Sequence, residues 1–186
     1  MKIIPLFKDD QRLILGASKS DRVAQRGLYE KYAPKMLAVC RGYVKDLQFA
    51  EDVMLKGFLK VFMHLDSFTE KGSFEGWVRR IMVHESINFL KIKQMLVFES
   101  DINAQEKVSS PEVAMKSDAE YLLKLIDELP DGYRIVFMLY AIEGYTHREI
   151  AKTLHLSEAT SRSKLSKARK ILQSKLKLTQ KRHEAL

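Results

Sequence analysis

The sequence predicts an all-α protein: two small helical domains joined by an acidic linker, the C-terminal one a helix-turn-helix. Three observations predict it. Apolar residues recur every three to four positions through nearly every segment up to Lys93, with no alternating strand and no hairpin signal. Between residues 94 and 117 that period fades, Glu99, Asp101, Glu106 and Glu112 turn the charge mostly acidic, and Ser109-Ser110-Pro111 breaks any helix. Periodicity then returns from Asp118 and ends in two helices separated by a tight turn. The domains therefore run 1–93 and 118–186, with 94–117 between them.

Composition narrows the function classes. A chain of 186 residues with 46% hydrophobic content can build two cores, and a formal charge of +8 favours an anionic partner. Nucleic acid is preferred to a membrane surface, because the cations lie among helix-packing positions and no polybasic tail adjoins a lipidation signal. The opening MKIIPLFKDD has too short an apolar core for a signal peptide, and the longest apolar run, Ile135 to Ile142, is far below spanning length. A cytoplasmic location without membrane insertion is expected. The lone Cys40 excludes an internal disulfide and reads as a buried free thiol.

In the first domain, Leu13 and Ile14 open a short helix that Gly16 and Ser18 to Ser20 interrupt. Asp21 caps a second helix carrying Val23, Leu28 and Tyr32, and Pro34 starts a third through Met36, Leu37, Val39 and Tyr43, all ordinary core. Asp46 caps a longer helix to about Leu65, whose wheel turns Ala50, Val53, Met54, Gly57, Phe58, Val61 and Leu65 inward. A second apolar row, Leu55, Leu59 and Met63, lies on the opposite side beside Asp52 and Lys56. Such a row is either a docking surface for a partner helix or is covered by another helix of the chain.

The stretch DSFTEKGS, from Asp66 to Ser73, is a loop bearing Phe68. A helix from Phe74 to Lys93 follows, with Phe74, Trp77, Val78, Ile81, Met82 and Phe89 toward the core. Arg80, His84, Asn88 and Lys91 form an outer strip, with Arg79 and Lys93 nearby. Cations beside an aromatic loop suit single-stranded DNA, which offers phosphates and unstacked bases; a solvated basic face is the plainer alternative. His84-Glu85-Ser86-Ile87-Asn88 resembles the HExxH zinc signature, but Asn88 stands where the second imidazole belongs. No metal or cofactor site, phosphate loop or nucleophile constellation is found, so no enzyme is expected.

In the second domain a helix carries Leu122, Leu125, Ile126 and Leu129 before Pro130, and Asp131 starts another with Tyr133, Val136, Phe137 and Tyr140. Gly144 ends that run, and Thr146 with Glu149 makes a capping box for a short helix that points Ile150 and Leu154 inward. His155, Leu156 and Ser157 form the turn, and Ser157 caps the last helix. Its inner face is Ser161, Leu165, Ala168 and Leu172; Thr160, Ser163, Ser166, Lys167 and Lys170 face outward. From Arg162 to Arg182 nine residues are Lys or Arg and none is Asp or Glu, which suits a major groove better than a merely solvated face.

Four stretches carry a family likeness: LYEKYAPKML, AEDVMLKGFLKVF, GSFEGWVRRIMVHESINFLK and LPDGYRIVFMLYAIEGYTHREIAKTLHLSEATSRSKLSKARKIL. In this order and spacing the chain resembles bacterial RNA polymerase sigma factors of the extracytoplasmic-function (ECF) group, over about residues 10 to 178. The resemblance implies an alternative sigma factor that docks on core RNA polymerase and gives it promoter choice. Asp52, Leu55, Lys56, Leu59 and Met63 would meet the β′ clamp helices, and the β flap would be a further polymerase contact. Phe68, Phe74, Trp77, Arg79, Arg80, His84, Asn88 and Lys91 would open the −10 element and hold a flipped base as single-stranded DNA. Thr160, Arg162, Ser163, Lys164, Ser166, Lys167, Arg169 and Lys170 would bind the duplex −35 element. Base reading would fall to Arg162, Ser163, Ser166 and Lys167, and phosphate contact to Lys164, Arg169 and Lys170. The acidic linker would thread toward the RNA exit path, and an anti-sigma factor is expected.

Three positions depart from the family pattern. Leu55 and Lys56 replace a usual Gln-Glu pair, His155 replaces the usual turn glycine, and Ser161 stands where Val is common. A non-glycine residue at positive φ in that turn carries strain. The alternatives weighed are a two-domain helix-turn-helix repressor or activator that binds operators as a dimer, and a zinc hydrolase built on His84 and Glu85.

Overall fold

The computed structural model describes residues 6–69, 72–92 and 118–183, all helix or connecting turn. They fall into two compact units, one within Met1–Lys93 and one within Gln94–Leu186. The expected linker, 94–117, lies outside the described residues.

The first unit comprises α1 (Leu6–Ser18), α2 (Arg22–Tyr43), α3 (Leu47–Met63), a 3₁₀ turn (Leu65–Ser67) and α4 (Phe74–Ile92). Both expected caps are in place: the Asp21 carboxylate accepts from the Val23 N–H at 2.9 Å, and Asp46 from the Phe49 N–H at 3.0 Å. α1 starts earlier than Leu13, because Asp10 on its preceding turn bonds Lys31 and Tyr32 of α2 and holds that turn helical.

Pro34 does not begin a helix; it sits exposed inside α2. A proline in a helix interior costs about 3 kcal/mol. The helix runs through it because Leu28, Tyr32, Met36, Val39, Cys40 and Tyr43 are buried on either side, each worth roughly 1.5–3 kcal/mol when apolar. Val23, expected in the core, is 79% exposed, and Ala24 takes the inward position at 5%. The inward stripe of α3 is as its wheel predicts from Ala50 to Val61, and Leu65 is buried in the 3₁₀ turn that follows. Gly57 lets α4 approach closely, since a Cβ there would overlap the Met82 thioether. The buried Ser86 hydroxyl is satisfied by donating to the Met82 carbonyl at 2.8 Å. Cys40 is buried and free, and burial pushes its thiol up to about 11 against a smaller opposing hydrogen bond with Ser86.

The second unit comprises α5 (Asp118–Asp127), α6 (Asp131–Phe137), a π turn (Met138–Ile142), α7 (His147–Leu154) and α8 (Glu158–His183). Leu125, Ile126 and Leu129 are buried as expected, whereas Leu122 is 44% exposed. The π turn, closed by the Glu143 N–H on the Met138 carbonyl at 3.1 Å, rotates the register after α6. Ile135, Val136 and Leu139 therefore fill the core, and Tyr133, Phe137 and Tyr140 are only half-buried.

Gly144, at φ +73°, turns the chain into the Thr146 capping box. There the Thr146 N–H donates to Glu149 Oε2 at 2.8 Å and the Glu149 N–H to Thr146 Oγ1 at 3.3 Å. Ile150 and Leu154 are buried, and α7 closes on His155 in the left-handed conformation at φ 55°, ψ 45°. The strain expected from a non-glycine residue is thus present, and Cβ crowding there costs about 1–2 kcal/mol.

Replacing His155 with Gly is expected to stabilise the second unit by up to about 1 kcal/mol, because relief of that crowding exceeds the entropy glycine adds to the unfolded chain. His155→Val is expected to destabilise it. Thermal denaturation of the full chain checks both, and a His155→Gly midpoint at or below that of the parent contradicts the strain argument.

Candidate polymerase and nucleic-acid interfaces

On α3, Leu55, Leu59 and Met63 are 52%, 60% and 66% exposed, with Asp52 and Lys56 exposed beside them. No described helix of the first unit covers the row. Lys60, one turn along, donates to Glu85 of α4 at 2.7 Å. That pairing commits Glu85, the carboxylate weighed with His84 as a hydrolase pair. No group of three or more His, Cys, Asp or Glu side chains gathers for a metal among the described residues.

Phe68, Phe74 and Trp77 form one aromatic cluster, with ring centroids 5.3, 5.5 and 5.7 Å apart. Within it Phe74 is a floor and not a contact surface: it is 7% exposed and also meets the Tyr32 ring at 5.5 Å. Phe68 and Trp77 are half-buried on its outer side. A cavity of about 560 Å³ adjoins them, lined among others by Asp10, Ile14, Tyr32, Phe68, Glu75 and Arg79. The Tyr32 hydroxyl donates to Asp10 at 2.8 Å, and burial, then that bond, raises its pKa. Arg80, His84 and Asn88 are exposed along α4 as the wheel places them; Arg79 and Lys91 are half-buried. Asp10 and Tyr32 were not expected at this site. They lie 22 residues apart in the chain, and only the α1–α2 packing joins them.

The inner face of α8 is the predicted one: Ser161, Leu165, Ala168 and Leu172 are buried. Arg162, Ser163, Ser166, Lys167, Arg169 and Lys170 are exposed. Thr160 is half-buried, its hydroxyl 2.8 Å from that of Ser157, whose oxygen also accepts from the Thr160 N–H at 3.0 Å. Lys164 corrects the expectation of a phosphate contact. It is 2% exposed, with Nζ 5.4 Å from the centroid of the Tyr133 ring, because i, i+3 spacing from Ser161 places it on the helix flank facing α6. Arg162 pairs with Glu158 at 2.9 Å, an exposed i, i+4 bridge weak enough to open for a ligand.

A further cluster escaped the sequence reading. The guanidinium of Arg169 lies 5.5 Å from the Tyr140 ring centre, and Tyr140 stacks on His147 at 4.7 Å and 24°. His147 Nδ1 lies 2.9 Å from the Ser161 hydroxyl. Ser161, standing where the family usually has Val, therefore joins α7 to α8 by a polar contact. Burial lowers the His147 pKa, as do the charges of Arg162 and Arg169, against an opposite effect of Glu158.

Two family models match the chain: Sigma-70 region 2 over residues 28–94, and Sigma-70, region 4 over residues 119–172. Together they take in more than half of it. The RNA polymerase sigma-H factor of Pseudomonas aeruginosa is 28% identical over 182 residues, 91% of this chain and 94% of that protein. The ECF RNA polymerase sigma-E factor of Escherichia coli is 28% identical over 180 residues, 90% of this chain and 94% of that one. The chain belongs to the sigma-70 family, in its ECF group.

This ECF factor is an alternative sigma factor directing transcription initiation, and its two regions are those that bind core RNA polymerase and promoter DNA. The operator-binding dimer gives way to that assignment. Two solved structures share the fold. CnrH in complex with the cytosolic domain of CnrY superposes at TM-score 0.50 with 20% identity, over 91% of this chain and 98% of that one. The sigma factor RpoE in complex with the anti-sigma factor NepR from Bartonella quintana gives 0.51 and 22%, over 82% and 96%. No described helix is long and apolar enough to cross a membrane.

The stacked histidine makes a pH prediction. Unfolded, His147 titrates near the ordinary value of about 6.5, and folded it titrates lower, so the unfolded chain binds more protons in that window. Its contribution to stability is complete above pH ~6.5 and is lost as pH falls through the folded value. The parent is expected to lose urea stability more steeply between about pH 7 and 5 than His147→Gln does; parallel slopes would remove the basis for the claim.

Proposed function

We propose that this sigma factor divides its work among three surfaces, and that α3 is the one that makes it a polymerase subunit. The single observation carrying this is the uncovered row Leu55, Leu59 and Met63, an apolar stripe on the opposite side of α3 from its buried one. It supports docking of α3 on the clamp helices of the β′ subunit, with Asp52 and Lys56 at its rim. The domain limits 1–93 and 118–186, with 94–117 as a threaded linker and the second domain near the β flap, follow the same scheme. The factor acts in the cytoplasm and does no chemistry of its own.

The −10 strand is proposed to run along Arg80, His84, Asn88 and Lys91, with Phe68 and Trp77 offering ring faces to unstacked bases and Arg79 a cation beside the cavity. Phe74 supports those rings from below. For the −35 duplex, Arg162, Ser163, Ser166 and Lys167 read base edges, Thr160 borders them, and Arg169 and Lys170 hold phosphates. Supporting this division is the exposure of these residues along one side of α8 while its other side is packed. Because NepR is an anti-sigma factor bound to a protein of this fold, an inhibitor of the same kind is proposed here.

Two outcomes follow. Leu59→Asp is expected to abolish association with core polymerase, and with it run-off transcription, while circular dichroism stays that of the parent. Loss of helicity would instead make Leu59 a core residue, and full run-off activity would refute the docking surface. In holoenzyme binding to promoters substituted along the −35 element, Lys167→Ala is expected to lower discrimination at one base pair by about 1–3 kcal/mol. Lys170→Ala is expected to weaken all sites alike and reduce the salt slope by about one. Identical uniform losses in both variants would refute the split between reading and phosphate contact.

A further inference from the structure

We propose that Tyr133 is a positioning residue for promoter reading: its ring holds the Lys167 ammonium ready for the −35 base edge. The inference deepens the assignment of Lys167 as a base reader and rests on it. Tyr133 stands in the first turn of α6, the helix packed along α8, and is half-buried. The Lys167 Nζ lies 5.7 Å from its ring centroid and that of Lys164 lies 5.4 Å away, both within the range of a cation–π attraction.

The two lysines differ in what they can do. Lys164 is 2% exposed and packed inward, so it cannot reach DNA. Its charge repels a second ammonium, which keeps Lys167 from sinking into the same place. Lys167 is exposed, and among the described residues the Tyr133 ring is the one side chain that holds its charge. A lysine on an open helix face otherwise samples many rotamers, and ordering it on binding subtracts from affinity.

A ring suits this task better than a carboxylate. An acidic partner would place negative charge beside phosphates and occupy an N–H donor. The ring attracts through its quadrupole, carries no net charge, and leaves donors on the outer side of the ammonium for a guanine O6 or N7. Arg169 on Tyr140 repeats the device two residues along α8, on its other flank, with a cation proposed to hold a phosphate.

The test uses holoenzyme assembled from the full chain, and a promoter panel with each −35 base pair replaced in turn. Tyr133→Phe keeps the ring and is expected to bind as the parent does. Tyr133→Leu fills the space without a ring, and is expected to lower discrimination about two- to fivefold at the base pair where Lys167→Ala lowers it, and nowhere else. The double variant is expected to match Lys167→Ala alone, since a positioning residue has nothing left to position.

Unchanged or increased discrimination in Tyr133→Leu overturns the proposal, as does an equal loss in Tyr133→Phe. If Lys167→Ala itself leaves discrimination intact, the reading of Lys167 as a base reader has failed, and this inference falls with it. Should Tyr133→Leu fail to fold, the parent chain still decides: the Tyr133 ring current shifts the Lys167 Cε protons upfield. Random-coil shifts for those protons overturn the contact.

Discussion

A helix can bury only what lies on one stripe, and the faces proposed for polymerase on α3 and for the −35 duplex on α8 are made of what that constraint leaves outside. α3 buries Ala50, Val53, Met54, Gly57, Phe58 and Val61, and the same geometry obliges Leu55, Leu59 and Met63 to face away. On α8, Ser161, Leu165, Ala168 and Leu172 pack inward and their neighbours carry the exposed cations. Each fully buried apolar side chain is worth roughly 1.5–3 kcal/mol, several times an exposed ion pair, so the inner stripes set the rotation of each helix about its axis. The outer residues are then free to be chosen for a partner.

Aromatic rings occupy the boundary between the packed and exposed stripes in both units. Phe74 closes the core beneath Phe68 and Trp77, while Tyr133 and Tyr140 lie between the α8 cations and the apolar interior. A ring can bury one face and offer the other to a base or a cation without bringing net charge. In a surface proposed to meet phosphates, that is the physical advantage over Asp or Glu. It accounts for the pairing of Lys167 and Arg169 with tyrosines, while Arg162 pairs with an acid, Glu158.

Much of the fold was legible. The caps at Asp21, Asp46, Thr146 and Ser157 obey local rules of hydrogen bonding, and the inward stripes of α3 and α8 obey helical period. The misreadings share one cause, which is that a local rule was outweighed by packing. Pro34 signals a helix start, yet buried residues on both sides carry α2 through it. Val23 is apolar but stands one position before the stripe that Ala24 belongs to. Lys164 is a cation in a basic run, yet its place on the helix faces α6 and its ammonium meets Tyr133.

By itself the sequence determined the helical class, the division into two domains, the strained turn at His155 and the family, because each is written in residues close together or in a fixed order of motifs. Tertiary structure alone decided which aromatic rings meet which cations. Asp10 reaches Tyr32, Tyr133 receives Lys164 and Lys167, and His147 reaches Ser161 only after separate helices have packed. Periodicity states which face of a helix is buried; it does not state what that face, or its flank, is buried against.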